Sequence, residues 1–208
     1  MVDVVALGET MVQFNAVTSG PLRYVTTFEK HAAGTESNFS IGLIRMGISA
    51  GWVSKLGQDE FGQYIYNFLR GEGVDISHVR FTSSAQTGIY FIQRDYPIPG
   101  ESVVFYYRKG SAASQLIPQD LPLAHIQSAK IFHTTGITLA LSHSCQSTVA
   151  TAMEQAKSNG VKISFDTNIR QKLWDPDTAR TVMLPYLESC DIIFTDINDT
   201  QILFQEDR

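Results

Sequence analysis

The chain is 208 residues long, with 43% hydrophobic and 18% charged residues and a formal net charge of −5. That mixture suits one folded domain with a sizeable core and excludes a disordered chain. The acidic balance argues against a nucleic-acid groove, so a phosphorylated ligand would need locally placed arginine or lysine.

Val2 to Leu7 is apolar apart from Asp3 and predicts a strand covered on both faces, as in a parallel sheet. Gly8-Glu9 follows it. Glu9 therefore falls at the strand's C-terminal end, where open α/β sheets bind ligands. Its carboxylate is either an acceptor for ligand hydroxyls or a solvated loop charge. In residues 11 to 30, Val12, Phe14 and Ala16 alternate with polar neighbours, and Pro21 opens a second run, Arg23 to Phe28. These predict two half-buried strands outside the main sheet.

Ala32-Ala33-Gly34 reads as a turn running into a helix. Gly34 can take φ > 0 and lets a ligand approach the backbone. Thr35 is a candidate N-cap. Phe39, Gly42, Leu43 and Met46 fall at i, i+3, i+4 and i+7 and predict the buried face. Asn38 lies off that stripe, near the helix start, where its amide can reach a polar ligand. An ordinary capped helix accounts for the same spacing.

Gly51 to Leu56 predicts a short strand. Asp59-Glu60 opens a helix with a stripe of Phe61, Ile65, Phe68 and Leu69, and Gly71-Glu72-Gly73 stops it. Thr87 to Arg94 and Val103 to Arg108 predict a hairpin. Period-2 alternation puts Tyr90, Ile92 and Arg94 on one face of its first strand, and Val104, Tyr106 and Arg108 on one face of its second. Such a face can close over a small acidic ligand. It can equally be an amphipathic edge at an interface.

From Ala129 strands and helices alternate. Ile131-Phe132-His133, Val161 to Phe165 and Asp191 to Thr195 are strands. The helices between them start at Ser142 or Ser144, with a stripe of Val149, Ala152, Met153 and Ala156, and at Asp175-Pro176. A last helix covers Asn198 to Gln205. This order predicts a parallel sheet with right-handed crossovers. Asp166, Asn168 and Arg170 share a face at the ligand end of the sheet if the backbone stays extended. Arg170 offers a planar fork that fits a carboxylate or phosphate. A solvated charged loop is the other reading.

Cys145 and Cys190 are far apart, and the five histidines show no ligand spacing. His133 and His143 read as structural, no zinc site is expected, and the cysteine usage suits a reducing cytoplasm. No apolar run approaches the about 20 residues of a membrane span, and no basic region precedes the first apolar run.

Several motifs resemble the PfkB (ribokinase-like) carbohydrate kinases. A-A-G-x-x-x-N-x-S-x-x-L-x-x-M-G spans residues 32–47, V-S-x-L-G-x-D-x-F-G spans 53–62, and D-x-N-x-R spans 166–170. Within that family G-I-Y at 88–90, V-F-Y-Y-R-K-G-S-A-A-S at 104–114 and S-x-D-x-N-x-R-x-x-L-W at 164–174 are similar to 2-keto-3-deoxygluconate kinases, particularly archaeal ones. The match runs over essentially the whole chain.

The resemblance implies a ribokinase-like α/β fold: a parallel sheet with helices on both faces plus a small β-sheet lid from residues 11–30 and 87–109. It implies transfer of the ATP γ-phosphoryl group to the terminal hydroxyl of 2-keto-3-deoxygluconate, or of its galactonate epimer. Gly34, Thr35 and Asn38 would hold hydroxyls, and Tyr90, Tyr106, Arg108 and Arg170 the 2-keto acid. Asn168 and Asp196 would lie near the ATP phosphates. Asp196 and Asp199 stand where the family has N-x-x-E, which helps organise Mg²⁺; helix capping accounts for them equally. A homo-oligomer joined through the lid is implied, with no nucleic-acid or membrane partner. Kinases for a neutral sugar or a nucleoside are the first rival, and a non-catalytic sugar-acid-binding fragment is the second.

The family's D-T-x-G-A-G-D motif, whose glycines form an anion hole and whose last Asp is the base, has no counterpart here. The last glycine is Gly160. The expectation is the N-terminal part of a kinase domain over residues 1–208, lacking the C-terminal third, with no catalytic residue of its own and no turnover alone.

Overall fold

The computed structural model describes residues 2–205. In chain order the first half forms β1 (Val4–Leu7), β2 (Met11–Ala16), β3 (Phe28–Ala33), α1 (Thr35–Arg45), β4 (Ala50–Val53), β5 (Lys55–Gly57), α2 (Glu60–Gly71) and β6 (Arg80–Thr82). The second forms β7 (Ile89–Arg94), β8 (Ser102–Tyr107), α3 (Leu123–Gln127), β9 (Ile131–Thr135), α4 (Gly136–Leu141) and α5 (His143–Ser158). It ends with β10 (Lys162–Asp166), α6 (Pro176–Leu187), β11 (Ile192–Phe194) and α7 (Ile197–Phe204).

The main sheet has the order β11-β10-β9-β1-β4, and every pairing in it is parallel. Alternation along β1 divides the core. Val5 and Leu7 pack with Phe132, Phe165 and the apolar stripes of α5 and α6. Ala6 packs on the other side with Ile41 of α1, Trp52, and Ile65 and Leu69 of α2. Both faces are therefore covered by helices, as a parallel sheet requires. The helix starts follow their capping residues. Asp59 accepts from the Gly62 amide, Ser142 from Cys145, and Asp175 from Thr178.

A second sheet, β3-β2-β7-β8, forms the lid. Tyr90 lies opposite Tyr106, and Ile92 opposite Val104, so the expected faces of the hairpin are the observed ones. The other lid strand differs from expectation. Leu22–Tyr24 is a 3-10 turn, and the partner of β2 runs Phe28–Ala33, directly into α1. This register brings Phe28 to the Phe14 and Phe91 rings, with centroids 6.4 and 5.3 Å away. The apolar gain outweighs the β-like pattern of residues 23–28.

The predicted buried stripe of α1 is also corrected. Glu36, Ser37, Ser40 and Ile41 are buried, whereas Met46 is 69% exposed. The buried face is polar, and its serine hydroxyls are hydrogen-bonded. Thr10 Oγ1 donates to Ser37 Oγ at 2.7 Å, Ser37 Oγ to the Gly34 carbonyl at 3.0 Å, and Ser40 Oγ to the Glu36 carbonyl at 2.9 Å. The single strand expected over residues 51–56 is two strands, β4 and β5. The short α4 had no counterpart in the sequence reading.

Candidate active site

The C-terminal ends of β1, β9 and β10, the first turn of α1 and the lid strands β7 and β8 meet in one region. Beside them is a cavity of about 1070 Å³ whose walls include Tyr106, Arg108, Arg170, Lys172, Asp196 and Asp199.

Gly34 is the N-cap of α1, and Thr35 is its first helical residue rather than the cap. Gly34 has φ −161°, so its glycine is not needed for backbone conformation. It is needed for space. A Cβ there would come within 2.6 Å of Thr10 Oγ1 and 2.8 Å of Thr10 Cα. Asn38 is exposed on the first turn, off the packed face as expected. Glu36 beside it is fully buried. Thr135 Oγ1 and Thr138 Oγ1 donate to its Oε1 at 2.7 and 2.9 Å, and its Oε2 has no partner among the described residues. Burial pushes the carboxyl above its usual range, against the weaker pull of those two hydroxyls.

The lid contributes its tyrosine face. The Tyr90 and Tyr106 rings stand 5.3 Å apart, and Tyr90 Oη donates to Gln13 Oε1. Burial, then the neighbouring Tyr106, pushes the Tyr90 hydroxyl up to about 12, so it is a neutral donor. The Arg108 guanidinium and the Lys172 ammonium lie 5.7 and 5.6 Å from the Tyr106 ring. Lys172 Nζ also donates to the Val104 carbonyl at 3.0 Å, tying the loop after β10 to the lid. Arg108 Nη2 donates to Glu9 Oε2, and Ser111 Oγ to Glu9 Oε1 at 2.5 Å. Glu9 sits at the strand end as predicted. It is buried and paired, however, and is neither a solvated charge nor an open acceptor.

After β10 the chain does not stay extended. Asn168 has φ +37°, a left-handed conformation that asparagine tolerates better than most residues. The shared face of Asp166, Asn168 and Arg170 is therefore not formed. Instead Asn168 Nδ2 turns back to Asp166 Oδ2 at 3.1 Å and reaches Thr35 Oγ1 at 3.4 Å. Arg170 is exposed on the cavity wall. Burial raises the Asp166 pKa, with Asn168 opposing and Asp199 adding to the rise.

Asp196 caps α7 by accepting from the Asp199 amide at 2.8 Å, so the capping reading holds for it. Asp199 is buried and grips the β10 loop. Its Oδ2 accepts from Thr167 Oγ1 at 2.6 Å and from the Ile169 amide at 3.0 Å. Among the described residues no group of three or more His, Cys, Asp or Glu could hold a metal ion. A Mg²⁺ held mainly by phosphates and water needs only one or two carboxylates, and Asp196 and Asp199 on the cavity wall fit that requirement.

The structure thus brings Tyr106, Arg108, Arg170, Asp196 and Asp199 to one cavity. It sets Thr35 and Asn168 against each other beside it, while Gly34, Asn38 and Tyr90 stand outside its walls. Glu36, Ser111, Thr135, Thr138 and Lys172 were not singled out by the sequence. Thr135 could have been, because it closes a strand at the ligand end of the sheet.

The whole chain, residues 1–208, matches the sequence profile of the pfkB family carbohydrate kinases. It is 50% identical over 205 residues to the 2-dehydro-3-deoxygluconokinase of Thermoproteus tenax, covering 98% of this chain and 62% of that protein. It is 41% identical over 181 residues to the enzyme of that name from Bacillus subtilis, covering 86% of this chain and 55% of that one. The crystal structure of the Thermotoga maritima 2-dehydro-3-deoxygluconokinase superimposes with a TM-score of 0.92 at 28% identity, over 99% of this chain and 63% of that one. The chain therefore spans less than two thirds of the length of these relatives. It belongs to the pfkB family of carbohydrate kinases.

Proposed function

We propose that the protein serves the ATP-dependent phosphorylation of 2-keto-3-deoxygluconate, the 2-dehydro-3-deoxygluconate of its relatives' names, or of the galactonate epimer. The observation that carries this reading is the cationic wall of the cavity: Arg108 and Lys172 lie beside the Tyr106 ring and Arg170 lines the same cavity, on a chain whose net charge is negative. A sugar acid supplies the carboxylate that such a wall requires; a neutral sugar has none.

In this reading Arg108 and Arg170 hold the carboxylate through charge-assisted hydrogen bonds. Tyr90 and Tyr106 orient the 2-keto end and exclude water from above. Gly34, Thr35 and Asn38 present the start of α1 to the sugar hydroxyls. Asn168 and Asp196 face the nucleotide phosphates, and Asp199 fixes the loop that carries Asn168 and orders Mg²⁺ indirectly. When bound, Mg²⁺ neutralises charge on the transferring phosphoryl group. Residues 161–208 contain no glycine, so a Gly-rich anion hole is not among them. The roles proposed for residues 1–208 are accordingly those of binding and positioning the sugar acid.

The neutral-sugar rival draws on one observation. Glu9 already neutralises Arg108. Calorimetric titration with 2-keto-3-deoxygluconate, 2-keto-3-deoxygalactonate, fructose and ribose separates the readings. Tighter binding of either acid than of the neutral sugars supports the proposal, and the reverse order refutes it. The same polypeptide with ATP and Mg²⁺ is expected to release no ADP above background. We further propose a homo-oligomer joined through the lid, in the cytoplasm. The exposed Phe105 and Tyr107, on the lid face opposite Tyr106, support the first, and the free Cys145 and Cys190 the second. No helix among the described residues is long and apolar enough to cross a membrane.

A further inference from the structure

We infer that Glu9 is a positioning residue that aims Arg108 at the substrate carboxylate and so sets the preference for an acid over its neutral counterpart. This inference rests on the sugar-acid reading above.

Glu9 itself cannot serve the ligand. Its side chain is 1% exposed, and both oxygens are engaged, one by Ser111 Oγ and the other by Arg108 Nη2. Its place is fixed from several sides. A Cβ on Gly88, at the start of the lid hairpin, would lie 2.9 Å from Glu9 Oε1, so glycine there leaves the carboxylate its place. Ser111 is held in turn, because it also accepts from the Ser114 amide at 3.3 Å. The carboxylate is therefore a rigid post at the junction of β1, β7 and the loop after β8.

Arg108 is the ligand-facing partner of this pair. Its side chain is 9% exposed and lies on the cavity wall. One donor, Nη2, is taken by Glu9. The Nε–H is buried and has no acceptor among the described residues. A buried cationic donor without an acceptor is costly, and the fork geometry of a guanidinium suits a second carboxylate on its free edge. The pair thus solves two problems at once. Without ligand, Glu9 supplies the counter-charge that a buried arginine needs. With ligand, the same contact prevents the guanidinium from swinging, so the open donors stay aimed at one place. Arg170 is exposed and has no such post among the described residues, so the selective contact falls to Arg108.

The test compares 2-keto-3-deoxygluconate with the same sugar acid converted to its neutral amide, using calorimetry on the wild-type protein, Glu9→Gln and Glu9→Ala. The wild type is expected to prefer the acid by tenfold or more. Glu9→Ala is expected to bring the two ligands within about threefold, through weaker acid binding with the amide little changed. Glu9→Gln keeps an oxygen for Nη2 and is expected to retain most of the preference. Equal weakening of acid and amide would mean that Glu9 only supports the fold. Tighter acid binding in both variants would mean that it only repels. Either result overturns the inference while leaving the sugar-acid reading intact. If the wild type itself shows no preference for the acid, that reading fails. The ¹⁵N resonance of Arg108 Nε then reports the pair directly: it is expected to shift in Glu9→Gln without ligand, and an unmoved signal overturns the pairing too.

Discussion

The side-chain amide of Asn168 reaches the hydroxyl of Thr35 at 3.4 Å, across 133 positions of sequence. The contact joins the loop after β10 to the first turn of α1, two segments that look unrelated along the chain. At this length it is a weak hydrogen bond. A ligand hydroxyl inserted between the two groups would therefore displace little. Asn168 has its second partner in Asp166 at 3.1 Å, so the amide stays oriented if Thr35 turns to a ligand.

Arg170 is exposed and lies on the same cavity wall as Arg108. Truncating a charge-assisted contact costs roughly 1.5–3 kcal/mol, which is about ten- to a hundredfold in affinity. Arg170→Ala is expected to weaken binding of the sugar acid by that range and to leave ATP binding unchanged. Arg170→Lys should recover only part of it, because lysine lacks the fork. Wild-type affinity for the acid in Arg170→Ala, measured by calorimetry, would remove Arg170 from the site.

Tyr106 faces the cavity, whereas Tyr107 faces the other side of the lid and is 62% exposed. The two neighbours separate binding from assembly. Tyr106→Phe removes one hydroxyl and is expected to impair acid binding severalfold with the oligomer intact. Tyr107→Glu puts a charge on the outer face, and sedimentation should then show dissociation with affinity preserved. Exchanged phenotypes would mean that the lid faces are used the other way round.

Much of this arrangement was legible in the sequence. Continuous apolar runs identified the parallel strands, and period-2 alternation identified the face that Tyr90 and Tyr106 share. The stops at Gly73 and Gly160 were legible as well, and both have positive φ. What was not legible depended on partners distant in sequence. The stripe of α1 fails because Glu36 and Ser37 are buried by hydrogen bonds to Thr135, Thr138 and Thr10, which no local period encodes. Asn168 leaves the extended conformation because its amide has acceptors on both sides. Glu9 looked open because nothing near it in sequence announces Arg108, 99 positions on. The lid strand at Phe28–Ala33 was missed because its aromatic partners lie on β2 and β7.

Two buried titratable groups should give stability opposite pH slopes. Burial lowers His133 to about 4 from its ordinary 6.5; the ring stacks on Phe39 at 3.9 Å, and its Nδ1 meets Ser164 Oγ at 3.0 Å. The fold favours the neutral ring. Its contribution is present above pH 6.5 and is lost as pH falls toward 4, on the order of 3 kcal/mol over that window. Glu36 is raised, so its contribution is present below the ordinary 4.5 and is lost as pH rises through its folded pKa. Urea unfolding of His133→Leu should show a flatter slope between pH 6.5 and 4 than the wild type. Glu36→Gln should lose the decline above pH 4.5. An unchanged slope in either variant would mean that its group titrates alike in both states.

Asp199 provides the sharpest choice between a structural and a metal-side role. Its Oδ2 accepts from both Thr167 Oγ1 and the Ile169 amide, and the residue is buried. Asp199→Ala strands the Ile169 amide and leaves Thr167 Oγ1 only Thr195 Oγ1, 3.1 Å away. Each buried donor left without a partner costs about 1–3 kcal/mol, so the variant is expected to lose roughly 2 kcal/mol or more by urea unfolding. Asp199→Asn keeps an oxygen in the same place and should lose less. The Asn168 amide and Arg170 flank the stranded segment, so sugar-acid binding should weaken together with stability, and more in Asp199→Ala than in Asp199→Asn. If the carboxylate instead acts mainly on a cation, both variants should unfold like the wild type. The loss would then appear as weaker Mg²⁺-dependent nucleotide binding, equal in the two variants because both remove the charge. The two donors already on Oδ2 favour the first outcome.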